Sequence, residues 1–389
     1  MSTATKAHGM NGTLVEADWP PLTLAEVRVL LGQFPGCGEP IEILSVSPRP
    51  FSAASVVAKN SGQVFIKRHH ITVRDREGLL EEHRFLIHLR AHGAPVPKVF
   101  RASSGETAIM SGEWIYEVHE VPAGVDLYED ALSWTPFLST AHARSAGETL
   151  ARLHLSSHGF DAPPRKARPL VSSFTIFAAD DPAAALQRYL AMRPALAENA
   201  DVREGCREAL ELLDPYHAQL RPLLPALKPL WTHNDLHASN LLWSNTGDDA
   251  RAVAVIDFGL ADRTNAVHDL AQATERNIVE WLDLTQQPER ENDVRVHLDH
   301  LLALLDGYVS VRPLSDAETY ALAPMTALCH AEFALSEAEY YLGVLHSEEM
   351  ARLASIDYLA GHARWFRGAG GDKLLNAIRY WAETRRRID

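Results

Sequence analysis

Apolar residues in the first third of the chain fall mostly into runs of strand length. Three such runs occupy positions 41–46, 55–58 and 64–67, and Lys59-Asn60-Ser61-Gly62 separates the last two. Because Asn and Gly tolerate positive φ, this tetrapeptide is typical of a hairpin turn. A helical pattern over 75–91 follows and stops before Gly93, and two further strands are predicted at 106–110 and 114–121.

Beyond Pro122 and Gly124 the pattern becomes mainly helical. The exception is a pair of apolar runs at 240–244 and 252–257, whose connecting residues 245–249 read as a hairpin loop. The pattern therefore predicts three segments. Residues 1–40 form an N-terminal extension with one helix at 22–31, residues 41–121 form a small strand-rich lobe, and residues 122–389 form a larger helical lobe.

Composition narrows the class of protein. The chain has 389 residues, of which 46% are hydrophobic and 23% charged, as expected for a globular protein. Its formal net charge of −14 argues against binding to nucleic acid, whose partners usually carry a basic surface. The three cysteines are widely separated, so a disulfide framework or a cysteine zinc site is not expected. No signal-peptide core or membrane-spanning apolar stretch is evident, so we expect a cytoplasmic protein without membrane contact.

Two polar motifs flank the predicted hairpin of the second lobe. The first reads Trp231-Thr-His-Asn-Asp-Leu-His-Ala-Ser-Asn240, and the second reads Ile256-Asp257-Phe258-Gly259. A hairpin returns its end close to its beginning, so Asp257 should converge with Asn240, with Asp235 one loop-turn away. Carboxylate and amide oxygens of this kind suit Mg²⁺, which also takes phosphate oxygens and water.

This arrangement resembles that of protein kinases, and its His-Asn-Asp form resembles the aminoglycoside phosphotransferase and choline kinase superfamily. The resemblance implies a bilobal, protein-kinase-like α+β fold with a small antiparallel-sheet lobe and a large helical lobe. It implies ATP and Mg²⁺ as cofactors, with Asp235 accepting or orienting the proton of a substrate hydroxyl and with Asn240 and Asp257 as metal ligands. His233, His237 and Asp269 would then support the catalytic loop.

A different chemistry remains open for the same loop. His233, Asp235 and His237 alternate along the chain, so on a strand they would share one face and could form a metal-hydrolase cluster. This interpretation leaves Asp257 unexplained, and it lacks the further His and Asp clusters that such a site needs.

A phosphate-binding lysine and its carboxylate partner are expected in the first lobe. Lys67 ends a predicted strand, and the following helix offers Glu81 and Glu82. Glu82 falls on the apolar stripe of that helix, where an unpaired charge would be very costly, so Lys67 is its expected partner. The superfamily places its helix glutamate at the same distance before the Gly93-Ala-Pro-Val-Pro97 turn, which also favours Glu82.

The other residues predicted to contact the nucleotide are chosen mainly by their position in the sequence. No Gly-x-Gly-x-x-Gly motif is present, but residues 48–55 include Ser52 and Ser55, small residues whose backbone could approach a phosphate. An ordinary turn is an equal alternative there. By resemblance, Glu120 and Val121 occupy the hinge that faces adenine, and Val121 is the expected donor because Pro122 has no N–H.

The expected reaction is ATP-dependent phosphorylation of a small-molecule hydroxyl. The acceptor would be an amino alcohol, a sugar, a homoserine-like metabolite or an aminoglycoside-type antibiotic. Possible substrate contacts are the pair Asp262 and Arg263, for which a surface salt bridge is the alternative, and the acidic pair Glu332 and Glu339. Glu332 and Glu339 share a helix face with Tyr340, and this acidic and aromatic face could hold a cationic amine. The alternatives are a protein Ser/Thr kinase and a non-catalytic nucleotide-binding regulator.

Overall fold

The computed structural model describes residues 6–8, 14–47, 50–281 and 294–385. Two short strands, β1 (Lys6–His8) and β2 (Leu14–Glu16), pair antiparallel at the start of the chain. They precede helix α1 (Leu24–Leu31), which has a capping box in which Thr23 and Glu26 satisfy each other's backbone N–H groups.

A five-stranded antiparallel sheet forms the small lobe. Its strands are β3 (Pro40–Val46), β4 (Ala53–Lys59), β5 (Gly62–His70), β6 (Ile109–Ser111) and β7 (Trp114–Glu120). Their order in the sheet is β3-β4-β5-β7-β6. The predicted hairpin joins β4 to β5, where Gly62 has a φ of 110°. Both strands are longer than predicted, because the hydrogen-bonded ladder begins at Ala53 in β4 and continues through Arg68, His69 and His70 in β5.

The two faces of this sheet have different partners. Helix α1 covers the outer face, where Val27 and Leu30 join a core with Val57 and Ile66. Helix α2 (Arg76–Ala91) covers the inner face and begins at Asp75, whose side chain accepts a hydrogen bond from Gly78 N. The helix predicted within residues 1–40 is therefore packed as part of the small lobe's core.

Helices make up most of the large lobe. The α-helices in the described residues are α3 (Thr140–Ser157), α4 (Pro182–Ala191), α5 (Pro194–Glu198), α6 (Ala200–Leu220), α7 (Ala266–Ile278), α8 (Leu298–Val311), α9 (Asp316–Leu328), α10 (His330–Gly343), α11 (Glu348–Arg352), α12 (Gly361–Arg367) and α13 (Ala369–Arg385). A π-helix (Leu353–Ala360) lies between α11 and α12. Helices α3 and α8 approach closely at Gly147 and Gly307. A Cβ at Gly147 would lie 2.0 Å from Leu304 O, so no larger residue fits there.

Two strand pairs support the active region of the large lobe. The predicted hairpin consists of β9 (Leu241–Trp243) and β10 (Ala252–Val255). A second pair, β8 (Pro229–Thr232) and β11 (Asp262–Asn265), was not predicted. Strand β11 has no apolar residue, so its sequence lacks the alternation that signals a strand. Hydrogen bonds hold the side chains of Asp262, Thr264 and Asn265 inside the lobe.

Membrane-spanning helices are not found in the described part of the chain, since no helix there is both long enough and apolar enough.

Candidate active site

Asp269 of helix α7 holds the loop between β8 and β9 through hydrogen bonds to its backbone. Its carboxylate accepts hydrogen bonds from His233 N at 2.9 Å and Asn234 N at 2.8 Å, and it lies 2.9 Å from His154 Nε2. Burial acts to raise the pKa of Asp269, but the hydrogen bond and charge of His154 outweigh it, so the pKa is lowered. Asn234 has a φ of 60°, a left-handed conformation that Asn tolerates better than most residues.

His233 connects this loop to the β9–β10 hairpin. Its Nε2 donates to Ile256 O at 2.9 Å, and its Nδ1 accepts from Asp235 N at 3.1 Å. Both ring nitrogens are therefore engaged with backbone, and burial lowers the pKa of His233. This geometry gives no support to the metal-hydrolase alternative, because His233 directs neither nitrogen toward a site shared with Asp235 and His237.

Asp235 lies at the floor of the cleft between the lobes. Asn240 Nδ2 donates to Asp235 O at 2.9 Å and to Asp235 Oδ2 at 3.2 Å. Arg276 Nη1 donates to Oδ1 of the same carboxylate. The Arg276 side chain is 1% exposed, and its guanidinium carbon lies 4.3 Å from the ring centroid of Phe333. The loop aspartate is thus oriented by an amide on one oxygen and by a buried cation on the other.

Arg276 was not predicted, although the sequence contains a signal for it. It follows Asp269 by seven residues on α7, which places both on the same face two helical turns apart. The face that carries the loop-bracing Asp269 therefore also carries the cation that pairs with Asp235.

Asp257 and Lys67 join the two lobes. Asp257 follows β10 with a φ of 58°, and its Oδ1 lies 2.9 Å from Lys67 Nζ. Burial acts to raise the pKa of Asp257, but the charge and hydrogen bond of Lys67 outweigh it and hold the pKa well below its usual range. For Lys67, burial acts to lower the pKa, but the attraction of Asp257, then of Glu117 and Glu82, raises it.

The expected pair between Lys67 and Glu82 is not formed, since no ion pair joins these two described residues within 4.0 Å. Lys67 lies among three carboxylates, and Asp257 makes the direct contact. Glu82 is 4% exposed and lines the cleft, as its position on the apolar stripe indicated. Glu81 faces away and pairs with Arg168 at 2.9 Å.

A cavity of about 340 Å³ extends from Lys67 to the connection between the lobes. Its lining includes all of the residues predicted to contact ATP or metal: Ser52, Ser55, Lys67, Glu82, Glu120, Val121, Asn240 and Asp257. Ser55 lies within β4 rather than in a loop, and its buried hydroxyl has no hydrogen-bond partner in the described residues. Residues 48 and 49 of the predicted phosphate loop lie outside the described residues.

A second cavity of about 150 Å³ adjoins the first. Both are lined by Ser52, Lys67, Asn240 and Asp257, but Asp235 and His237 face only the second. Its walls carry aromatic side chains, namely Phe51, Trp134, Phe333 and Tyr341. The shared residues place Asp235 next to the point where the two cavities meet.

Glu337 is the acidic group on the far wall of the second cavity. It is 3% exposed, and its Oε2 has no hydrogen-bond partner in the described residues. Burial raises the pKa of Glu337 to about 8, and the charge of Arg276 offsets only part of this effect. A buried carboxyl oxygen without a donor is costly, so this atom is available to a ligand.

The four predicted substrate contacts do not line this cavity. Glu332 accepts from Ile176 N at 2.6 Å, and Glu339 pairs with Arg193 at 2.8 Å. The cavity face of α10 instead carries Phe333, Glu337 and Tyr341, at a spacing of four residues. The predicted face was therefore displaced by one position, because periodicity alone did not show which stripe of this almost fully buried helix meets the cleft.

Asp262 and Arg263 make structural contacts with other residues of the large lobe and do not face the second cavity. Asp262 is fully buried in β11, where it accepts from Arg165 N at 2.7 Å. Arg263 Nη2 lies 3.7 Å from Asp161 Oδ1, an exposed pair. The surface salt bridge that we weighed against a substrate contact is therefore the arrangement found for Arg263.

Buried arginines hold the turn after Asp257 in place. Arg74 donates to Gly259 O at 2.9 Å and to Pro169 O at 2.6 Å. Arg165 donates to the same Gly259 O at 2.8 Å and to Gly78 O at 2.8 Å. Burial and then repulsion from Arg165 lower the pKa of Arg74 to about 9. Sequence analysis missed these arginines because they lie outside the helices and strands and bond mainly to backbone oxygens.

Solved structures share this fold. A microcompartment-associated aminopropanol kinase matches with a TM-score of 0.58 and 18% identity, covering 90% of this chain and 100% of that chain. A spectinomycin phosphotransferase in complex with ADP and spectinomycin matches with a TM-score of 0.51 and 10% identity, covering 93% and 99%. A thermostable mutant of an aminoglycoside phosphotransferase, with AMP-PNP and hygromycin B, matches with a TM-score of 0.52 and 14% identity, covering 88% and 99%.

Comparison of the sequence identifies the family, which structures of such low identity do not. A search of curated proteins gives no match. The model of the phosphotransferase enzyme family, by contrast, matches residues 51–314. That range contains Lys67, Asp235, Asn240 and Asp257, so the family match and the geometry of the cleft concern the same residues. The chain therefore belongs to the phosphotransferase enzyme family and is an ATP-dependent small-molecule phosphotransferase with an alcohol group as acceptor.

Proposed function

We propose that the protein transfers the γ-phosphate of ATP, with Mg²⁺, to the hydroxyl of a small molecule that also carries a protonated amine. The observation that carries this proposal is the junction of the two cavities. Lys67, Asn240 and Asp257 line both of them, while Asp235 and Glu337 line only the smaller one. The larger cavity suits a nucleotide, and the smaller one suits an acceptor.

The residues around the larger cavity fit a nucleotide chemically. Lys67 lines this cavity and can contact phosphate oxygens. The cross-strand partner of Ser55 is Ile66, so the Ser55 hydroxyl points to the α1 side of the sheet and not toward Lys67. Val121 at the lobe connection would contact the adenine ring through its backbone N–H. Lys67 would exchange Asp257 for phosphate, since an ammonium group is a point charge that can change partners.

The metal-binding assignment rests on donor chemistry. Asn240 and Asp257 supply one amide and one carboxylate oxygen at the edge shared by the cavities, which is a donor set that Mg²⁺ accepts. When bound there, Mg²⁺ would neutralise negative charge on the phosphates. The exchange of Lys67 away from Asp257 would free that carboxylate for the ion.

Asp235 would orient the acceptor hydroxyl and accept its proton. Among the described residues, its Oδ2 receives only the long 3.2 Å contact from Asn240, while Oδ1 is held by Arg276. The contact with Arg276 fixes the rotamer of the carboxylate, so Oδ2 can face the acceptor. Most of the rate enhancement would come from positioning and electrostatic stabilisation, with proton transfer contributing about 10²–10⁴-fold.

Glu337 would select the acceptor by its amine. A protonated amine supplies the donor that Glu337 Oε2 lacks, and aromatic ring faces nearby also attract a cation. Binding of the cation would lower the pKa of Glu337 and leave it ionised. A volume of about 150 Å³ is well below the roughly 300–1,000 Å³ of sites for drug-sized ligands, so an amino alcohol or a homoserine-like metabolite fits better than a complete aminoglycoside.

The same enclosure argues against a protein acceptor. An extended peptide would need an open groove, whereas Asp235 lies at the floor of a small aromatic cavity. Only eleven residues, 258–268, separate Asp257 from the helix-borne Asp269, which is short for a peptide-docking segment.

A coupled ADP-release assay tests the proposal with matched acceptors. We expect turnover with 1-amino-2-propanol, ethanolamine or homoserine, and at least a tenfold lower kcat/KM with 1,2-propanediol, in which a hydroxyl replaces the amine. Equal rates for the amine and the diol would contradict the role of Glu337 but not the kinase reaction. Casein phosphorylation that exceeds phosphorylation of every small acceptor would contradict the acceptor class.

A further inference from the structure

A group of imidazoles surrounds one carboxylate behind the nucleotide cavity. His83 of α2 and His119 of β7 each place Nε2 at 2.8 Å from Oε2 of Glu117. His69 of β5 places its Nε2 at 3.0 Å from the other oxygen, Oε1. These four side chains come from three different elements of the small lobe, and the proposed phosphotransfer uses none of them.

We propose that His83, Glu117 and His119 form a binding site for a transition-metal ion of the Zn²⁺ type. Their ligand atoms all lie within 4.8 Å of one another. Around a tetrahedral zinc ion with bonds of about 2.1 Å, neighbouring ligand atoms are about 3.4 Å apart. The observed contacts of 2.8 Å need to open by only about half an ångström to admit the ion.

The surroundings of these residues match those of a metal site. His83 Nδ1 lies 2.8 Å from Thr107 Oγ1, which would accept the Nδ1 proton while Nε2 binds the ion. The contact from His69 would hold the second oxygen of Glu117 in place. Such outer contacts commonly orient metal-binding imidazoles and carboxylates. The three ligands are between 1% and 6% exposed, so their positions are fixed by packing.

Carboxylates are concentrated near this group, since Glu82, Glu117 and Asp257 all attract Lys67. Imidazole nitrogens favour zinc over magnesium, whereas Asn240 and Asp257 offer only oxygen. The two sites should consequently differ in the metals that they select.

The fourth position of the ion would open toward the nucleotide cavity, which Glu117 and His119 line. An ion there would link α2 to β7, because His83 lies on α2, next to Glu82, and the other two ligands lie on β7. Because the site exists only in the folded small lobe, binding should raise the melting temperature of the whole chain.

Equilibrium dialysis of the full chain, made without a histidine tag, tests the proposal. The metal content would be measured by mass spectrometry after dialysis against micromolar ZnCl₂ with excess MgCl₂ and no nucleotide. We expect close to one zinc per chain for the wild type and for Asp257→Asn, and less than one fifth of that for His83→Gln. Glutamine can still donate to Glu117, so this variant should fold, which its melting temperature without zinc will verify.

A second cluster provides the matched control. Among the described residues, His297, Asp299 and His300 also bring three ligand atoms together, at a more exposed position. Zinc content that persists in His83→Gln but is lost in a His297→Gln, His300→Gln double variant would overturn the proposal. So would the absence of bound zinc in the wild type.

Spectroscopy gives a readout that a general stabilising effect cannot produce. Cobalt(II) in a tetrahedral nitrogen and oxygen site has visible d–d absorption, which zinc should abolish by displacement. The three cysteines are buried and lie outside this group, so no thiolate charge-transfer band is expected. Retention of the cobalt spectrum in His83→Gln would contradict the assignment. None of these measurements depends on kinase activity, so they can fail while the proposed function stands.

Discussion

The two halves of the cleft balance charge in different ways. On the nucleotide side, Lys67 is surrounded by Asp257, Glu117 and Glu82, and its direct partner lies at 2.9 Å. On the acceptor side, Glu337 has among the described residues only the charge of Arg276 to offset its burial, and one of its oxygens has no donor. The first half can hold its charges without a ligand, whereas the second is incomplete until a donor enters.

This difference indicates how each half selects its ligand. A nucleotide carries several phosphate charges, and it can be held by exchanging ion-pair partners that are already present. Under the proposed function, an acceptor would have to bring the donor that Glu337 lacks, and discrimination would come from this unpaired group, which rejects a ligand without an amine. Buried polar groups left without a partner are the usual source of strong discrimination.

The largest expected effect is that of Asp235→Asn, which should lower kcat by about 10²–10⁴-fold because the proton acceptor is lost. It also leaves Arg276 as a buried cation without its partner, at a cost of about 3–5 kcal/mol of unfolding free energy. The double variant Asp235→Asn, Arg276→Met should recover much of that stability but none of the activity. Steady-state kinetics and urea unfolding measure the two effects, and an active double variant would contradict the role of Asp235.

A smaller loss, about 10²–10³-fold in kcat/KM for ATP, is expected for Lys67→Met, because one preorganised charge is removed from the phosphates. Lys59→Met is the matched control, since Lys59 lies at the hairpin end of β4 and bonds to Ser61. A change of similar size in both variants would mean that the effect is not specific to the nucleotide side.

On the acceptor side, Glu337→Gln should lower kcat/KM for an amine acceptor by about 10–100-fold, since a hydrogen bond to a charged group contributes about 1.5–3 kcal/mol. The value for 1,2-propanediol should change by less than about threefold. Glu339→Gln on the same helix is the control, because Glu339 pairs with Arg193 outside the cavity. An equal loss for both acceptors would indicate a packing defect instead of amine recognition.

The last effect concerns stability and not turnover, and it depends on pH in the absence of acceptor. The pKa of Glu337 is about 8 in the folded chain and near 4.5 when unfolded, so the folded state binds more protons between these values. The unfolding free energy should therefore fall as pH rises from about 4.5 to 8, by at most about 1.4 kcal/mol per unit.

Comparison with Glu337→Gln isolates this contribution. The neighbouring Tyr341 and Tyr358 stay neutral in this range, because their pKa values are raised well above 10.0. Urea unfolding at about pH 5.5 and 8.5 should show the variant gaining stability relative to the wild type at the higher pH. A constant difference would show that Glu337 is already ionised in the empty cavity.

Sequence motifs were sufficient to predict the site where its residues lie close together along the chain. Asp235, Asn240 and Asp257 lie at the two ends of one short hairpin, so local geometry alone brings them together. The position of Glu82 in the cleft was predictable for a similar reason, because helix periodicity shows that Glu82 lies on the apolar face of its helix. Periodicity did not identify the partner of Lys67, which comes from the other lobe, 190 positions away along the chain.

The acceptor side shows the limit of the same reasoning. Helix α10 is buried on nearly every side, so the stripe with Glu332 and Glu339 and the stripe with Glu337 look equally plausible in sequence. Only packing against the rest of the lobe decides that Glu332 caps the backbone of Thr175 and Ile176 while Glu337 reaches the cavity.

The sequence by itself determined the family, the bilobal arrangement and the set of residues that lines the cleft, because these depend on short motifs and on local periodicity. The tertiary structure alone decided which charges pair across the cleft, which acid faces the second cavity and which histidines converge on Glu117. Those choices depend on contacts between residues far apart in the chain, and the free energy of a buried charge depends on all of its neighbours at once.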